Sequence, residues 1–146
     1  MKKLVFIWSI LLSSISFSQV ITVTWDSTKA YKFNGNTAKI PEFAVAGTMV
    51  FNAVGKGKKE LDLKNMESRF YEDNQLRNTL KIKSYTKTSK RIEIILLDYD
   101  LRTGLQFETY QTIDLKKNKS YYSWYYDGVD DVTWVYIEAG GKIIVK

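Results

Sequence analysis

The chain contains no cysteine and no histidine, and its 146 residues include a single proline. Without cysteine there is no disulfide and no thiol for a lipid, so stability has to come from packing. Without histidine, Ser-His-Asp and Cys-His nucleophile pairs and zinc sites built from His and Cys are excluded. Carboxylate chemistry, Ser-Lys or tyrosine-based catalysis and oxygen-ligand cations such as calcium stay open. Also missing are any stretch with the spacing of a long helix, any internal repeat and any low-complexity segment.

Excess charge is scarce too. The chain carries 22 Lys and Arg against 16 Asp and Glu. Met1-Lys2-Lys3, the apolar run Leu4–Leu12 and the small residues Ser16 and Ser18 have the layout of a secretory signal peptide, with cleavage expected between Ser18 and Gln19. Its apolar core is too short to span roughly 30 Å of hydrocarbon. Removing residues 1–18 takes away Lys2 and Lys3 and leaves residues 19–146 as one domain with a net charge of +4. So mild a charge on an exported chain argues against nucleic acid as a partner.

What is present is alternation. Ile21, Val23 and Trp25 alternate with Thr22 and Thr24, the period of a half-buried strand. Further strands are expected through Tyr31 and Phe33, from Phe43 to Val54 after Pro41, through Leu61 and Leu63, and over 64–71. Others follow at Leu80–Ile82, at Ile92–Leu97 as a central strand covered on both faces, and at Leu105–Leu115 with Leu105, Phe107, Ile113 and Leu115 inward. Turns are expected at Asn34-Gly35-Asn36, Gly55–Lys58, Glu72–Gln75, Lys87–Ser89, Asp98–Gly104 and Lys116–Lys119. Ala139-Gly140-Gly141-Lys142 reads as a two-residue hairpin.

Turns every ten to fifteen residues predict an all-β antiparallel up-and-down meander of about eight to ten strands, forming a sandwich or a lipocalin-like barrel. The charges fit a meander, whose successive turns fall at alternate ends. Basic turns (Lys56–Lys59, Lys87–Arg91, Lys116–Lys119, Lys142) alternate with acidic ones (Glu72/Asp73, Asp98/Asp100, Asp127–Asp131), with Arg102 as the main exception. Stable membrane insertion is not expected, because Lys81 and Lys83 bracket Ile82 and the last strand ends in Val145-Lys146.

Tyr121, Tyr122, Trp124, Tyr125, Tyr126, Trp134 and Tyr136 make up one third of the 21 aromatic residues, so this block is either core or a binding face. A five-residue loop at Asp127–Asp131 sets Tyr126 opposite Val132, Trp124 opposite Trp134 and Tyr122 opposite Tyr136. The Gly140-Gly141 hairpin would set Glu138 opposite Ile143 and Tyr136 opposite Val145. One face then holds Tyr122, Trp124, Tyr126, Trp134, Tyr136, Ile143 and Val145, and the other Tyr121, Ser123, Tyr125, Val135, Ile137 and Ile144.

If the Trp face looks outward, it is a platform for a glycan or a protein partner. Its ligand-binding residues are then Tyr122, Trp124, Tyr126, Trp134 and Tyr136, with Asp127, Asp130 and Asp131 supplying hydrogen bonds. If it looks inward, the domain is a lipocalin-like carrier of a small hydrophobic ligand, with a cavity lined by Phe43, Phe51 and Phe107, an analogy at the level of fold. No cofactor is expected beyond loosely bound calcium between Asp98–Asp100 and Asp127–Asp131, which lack the spacing of an EF-hand loop. A carboxylate-dependent glycosidase would rest on Glu108, for which spacing suggests no partner acid. A non-catalytic binding domain is therefore the expectation.

Overall fold

The computed structural model describes residues 19–36, 47–126 and 131–146, without the side chain of Tyr126. The expected signal peptide at 1–18, Pro41, Phe43, Asp127 and Asp130 lie outside the described residues. The strands are β1 (Val20–Asn34), β2 (Thr48–Asp62), β3 (Glu67–Glu72), β4 (Gln75–Lys87), β5 (Arg91–Tyr99), β6 (Gln106–Asp114), β7 (Lys119–Tyr126), β8 (Val132–Ala139) and β9 (Ile143–Val145). Consecutive strands pair antiparallel from β1 to β8, and β8 returns to β1, so the meander closes into an eight-stranded barrel with β9 as an added piece. Closure abolishes sheet edges, which a sandwich would leave exposed.

Four expectations about local structure are corrected. The strand expected over 64–71 begins only at Glu67, because Asp62 folds residues 63–66 into a turn. The Gly55–Lys58 turn does not exist, because β2 runs straight through it and pairs with β1 along both halves. Gly57 is there for close approach: the Trp25 indole lies on it, and a Cβ would sit 2.2 Å from that ring. Nor is there a hairpin at Gly140-Gly141. The chain jogs there and continues in the same direction, so β8 pairs with Ser27–Asn34 and β9 with Ile21–Val23 of the same strand. Tyr136 therefore faces Ala30 rather than Val145, and Ile143 faces Val23 rather than Glu138. Leu105 is not inward but lies exposed in the turn before β6.

A register shift between Trp25 and Ser27 in β1 makes the double pairing possible, since a bulge bends a strand locally. The jog is pinned by the Thr24 amide donating to Lys142 O (2.9 Å) and the Lys142 amide donating to Thr24 Oγ1 (2.9 Å). Asn118 completes it, donating through Nδ2 to Gly141 O (3.0 Å) and accepting from the Ile143 amide at Oδ1 (3.2 Å).

Two turns use the same chemistry. Asp62 Oδ1 accepts from the amides of Lys64 (3.1 Å) and Asn65 (2.9 Å). Asp114 Oδ1 accepts likewise from Lys116 (3.0 Å) and Lys117 (2.8 Å). Each turn then closes on a left-handed residue, Met66 (φ 57°) or Asn118 (φ 51°). The amide of Asn65, its side chain and the amide of Lys64 hold the Asp62 carboxyl below its ordinary 3.8.

A lowered folded-state value means stability that is full above the unfolded pKa and is lost as pH falls through the folded one. Stability should therefore decline below about pH 4, and Asp62→Asn should flatten that decline in melts taken down to about pH 2. Equal acid slopes for the two proteins would show that Asp62 plays no part in it.

Inward positions are read off the register. Toward the end of the barrel carrying the 63–66, 88–90 and 115–118 turns, Ile21, Val23, Leu61, Ile82, Ile92, Ile94 and Ile113 are almost wholly buried and fill the interior. The expected cover on both faces of Ile92–Leu97 is only partial. Ile92, Ile94 and Leu96 point in, Glu93 is exposed, and Ile95 and Leu97 are half-buried on the outer wall. This closed end carries the lysine turns, with Lys64 in the place expected for Lys56–Lys59. The opposite end carries Asp73, Asp100 and Asp131, with Arg102 beside Asp100 at 3.6 Å.

Candidate functional site

Above the apolar floor the barrel interior turns polar, then opens. Lys59, Gln111, Ser120 and Glu138 meet there, all buried. The Lys59 ammonium donates to Glu138 Oε1 (2.6 Å) and Gln111 Oε1 (2.9 Å). Glu138 Oε2 accepts from the Ser120 hydroxyl (2.7 Å) and Gln111 Nε2 (3.2 Å), and Gln111 also donates to Ser120. Each charge has its opposite and each carboxylate oxygen a donor, the condition under which buried charges are tolerated. The ammonium also sits 4.2 Å from the centre of the Tyr122 ring and 5.4 Å from that of Trp25.

Between this layer and the acidic end lies a cavity of about 650 Å³, within the size range of small-molecule sites. Its walls are aromatic on two sides. Trp25 stacks on Phe70, centroids 5.9 Å apart and planes within 5°. On β7 and β8, Trp124 stacks on Tyr136 at 4.8 Å and 14°, and Trp134 backs both rings at 6.3 and 6.4 Å. The Lys32 ammonium stands 5.3 Å from the Trp134 ring. Phe51, Ala53, Leu80 and Leu96 complete the apolar lining, and Thr28, Ser68, Asn78, Glu72, Asp73 and Asp98 supply polar groups.

Burial pushes the Tyr122 hydroxyl well above its ordinary value, with the negative charges of Asp98 and Glu138 adding to the effect. Burial also raises Tyr136. Both phenols are therefore neutral hydrogen-bonding groups, not bases.

The sequence-derived site residues fall as follows. Trp124–Trp134, Tyr122–Tyr136 and Tyr126–Val132 are cross-strand pairs in the expected register. Tyr122, Trp124 and Tyr136 line the cavity, with Trp134 stacked behind, so the Trp face is the inner face of the barrel. Asp131 is at the rim, exposed, with its carboxylate accepting from the Tyr125 hydroxyl. Of the three phenylalanines expected in a carrier cavity, Phe51 lines it, and Phe107 is on an inward row opposite Asp98 without lining it. No family model, curated protein or solved structure matches the chain.

Sequence reasoning missed the polar layer, although its signal was there. Continuing the alternation Trp134, Tyr136 by one step puts Glu138 on the same inner face, and Val23 pairs with Lys59. Glu108 stands on the outer wall, ion-paired with Lys83 and accepting from the Tyr110 hydroxyl (2.9 Å). Burial first, and Glu108 second, push that hydroxyl up to about 12. Among the described residues no group of three or more acids comes together to hold a metal.

Proposed function

We propose that this protein is an exported, non-catalytic carrier that takes a small ligand with a flat apolar body into the barrel. The observation that carries this reading is the cavity of about 650 Å³ with two sets of stacked aromatic rings, Trp25–Phe70 and Trp124–Tyr136, along its wall. Flat rings offer large rigid contact area at little entropic cost, and the polar layer beneath is saturated by its own members, which leaves the walls to do the binding. A glycan or protein partner on an exposed aromatic platform has less support, because Trp124 and Tyr136 turn inward. Support for a barrel in water rather than in lipid comes from charges at mid-height on the outer wall. These include Lys58–Glu60 (3.0 Å) and Lys83–Glu108, where a lipid-facing belt would be apolar. Export itself rests on the signal-like first 18 residues.

The test is titration of the mature protein with a neutral naphthalene derivative, read by tryptophan fluorescence. Saturable one-to-one binding is expected, and Ala53→Phe, which fills the cavity from its wall, should weaken it by about tenfold or more, that is about 1.4 kcal/mol. Absence of saturable binding, or binding indifferent to Ala53→Phe, would remove the carrier reading.

A further inference from the structure

We propose that the ligand of this cavity carries a positive charge beside its apolar body, and that Asp98 receives it. The proposal rests on the reading of the cavity as a ligand site. The charged groups on the lining are Lys56, Lys59, Glu72, Asp73, Asp98 and Glu138. Lys59 and Glu138 neutralise one another at depth, which leaves three carboxylates against Lys56. A chain with an overall excess of Lys and Arg has thus turned a negative wall toward its cavity. Glu72 is shared with Arg77 on the outside, at 3.3 Å.

Asp98 is the acid whose position is built by the fold. It closes the inward row Ile92, Ile94, Leu96 of β5, the first three of which are almost wholly buried. Its Oδ1 accepts from the Tyr99 amide (2.8 Å) and its Oδ2 from the Tyr122 hydroxyl at a long 3.4 Å. Neither donor carries charge.

A protonated amine or other cationic head supplies the charged donor that Asp98 lacks, while the faces of Trp124 and Tyr136, which line the same cavity, attract a cation through their ring quadrupoles.

The experiment is a matched series on the mature protein: naphthylmethylamine, naphthylmethanol and naphthoate, titrated at pH 7 at low and high salt. The amine is expected to bind about tenfold tighter than the alcohol and the naphthoate weakest, with the amine's advantage shrinking in high salt. In Asp98→Asn the ratio of amine to alcohol affinity should fall toward one. Alcohol and naphthoate binding as well as the amine to the unmodified protein, each displaced by Ala53→Phe, would overturn the charge preference and leave the cavity reading in place. No binding by any of the three would remove both.

Discussion

Replacing Glu138 by leucine is expected to destabilise the protein by about 3–5 kcal/mol, the range for leaving a buried charge without its partner. Lys59 is 8 % exposed and Glu138 6 % exposed, so water reaches neither well enough to stand in for the other. The carboxylate also holds Ser120 and Gln111, whose hydrogen bonds would be lost with it. The double variant Lys59→Met, Glu138→Leu should recover most of the loss, because removing both charges removes the desolvation cost along with the attraction. Urea unfolding of the three proteins measures this. A single variant within about 1 kcal/mol of the original protein would mean that water entering from the cavity solvates Lys59 after all, and the polar layer would then not be a structural element of the barrel.

Gly141→Ala is the second large effect. A Cβ at this position would lie 1.9 Å from the Thr24 carbonyl oxygen and 2.2 Å from its carbon. These are backbone atoms, which cannot rotate away, so β1 and the β8–β9 jog must separate. A cost at or above the upper end of the roughly 1–3 kcal/mol seen for overpacking is expected, together with loss of hydrogen-exchange protection at Val20, Thr24 and Lys146, whose amides bond across this seam. Gly55→Ala is the control, since a Cβ there meets nothing within 4 Å, and it should change stability by no more than about 0.5 kcal/mol. If both variants behave alike, the close approach of Gly141 to Thr24 is not what holds β9 against β1.

These two expectations concern the features that were hardest to read in the sequence. Which residues of β7 and β8 share a face was legible, because a strand's side chains alternate strictly and a five-residue loop leaves one register. Trp124 across from Trp134 follows from that alone. Gly140-Gly141 was misread because paired glycines serve two ends: they permit the φ of a tight hairpin, as the φ of 83° at Gly140 attests, and they also permit one backbone to approach another. Local sequence does not distinguish the two; the Thr24 carbonyl, 117 residues away, does. Gly57 was misread for the same reason, with the Trp25 ring as the distant partner.

By itself, the sequence determined that this is an all-β meander stabilised without disulfides, that histidine- and cysteine-based chemistry is closed to it, and which residues share a face. Alternation and turn chemistry are local, and local rules suffice for them. Only the tertiary structure decided that the meander closes, that the Trp face therefore looks inward, and that Lys59, Gln111, Ser120 and Glu138 meet inside. Closure depends on β1 finding β2, β8 and β9 at once, and its pairings with β8 and β9 join residues roughly a hundred positions apart or more. An aromatic face becomes the wall of a cavity, and an alternating lysine becomes half of a buried ion pair, only once those contacts exist.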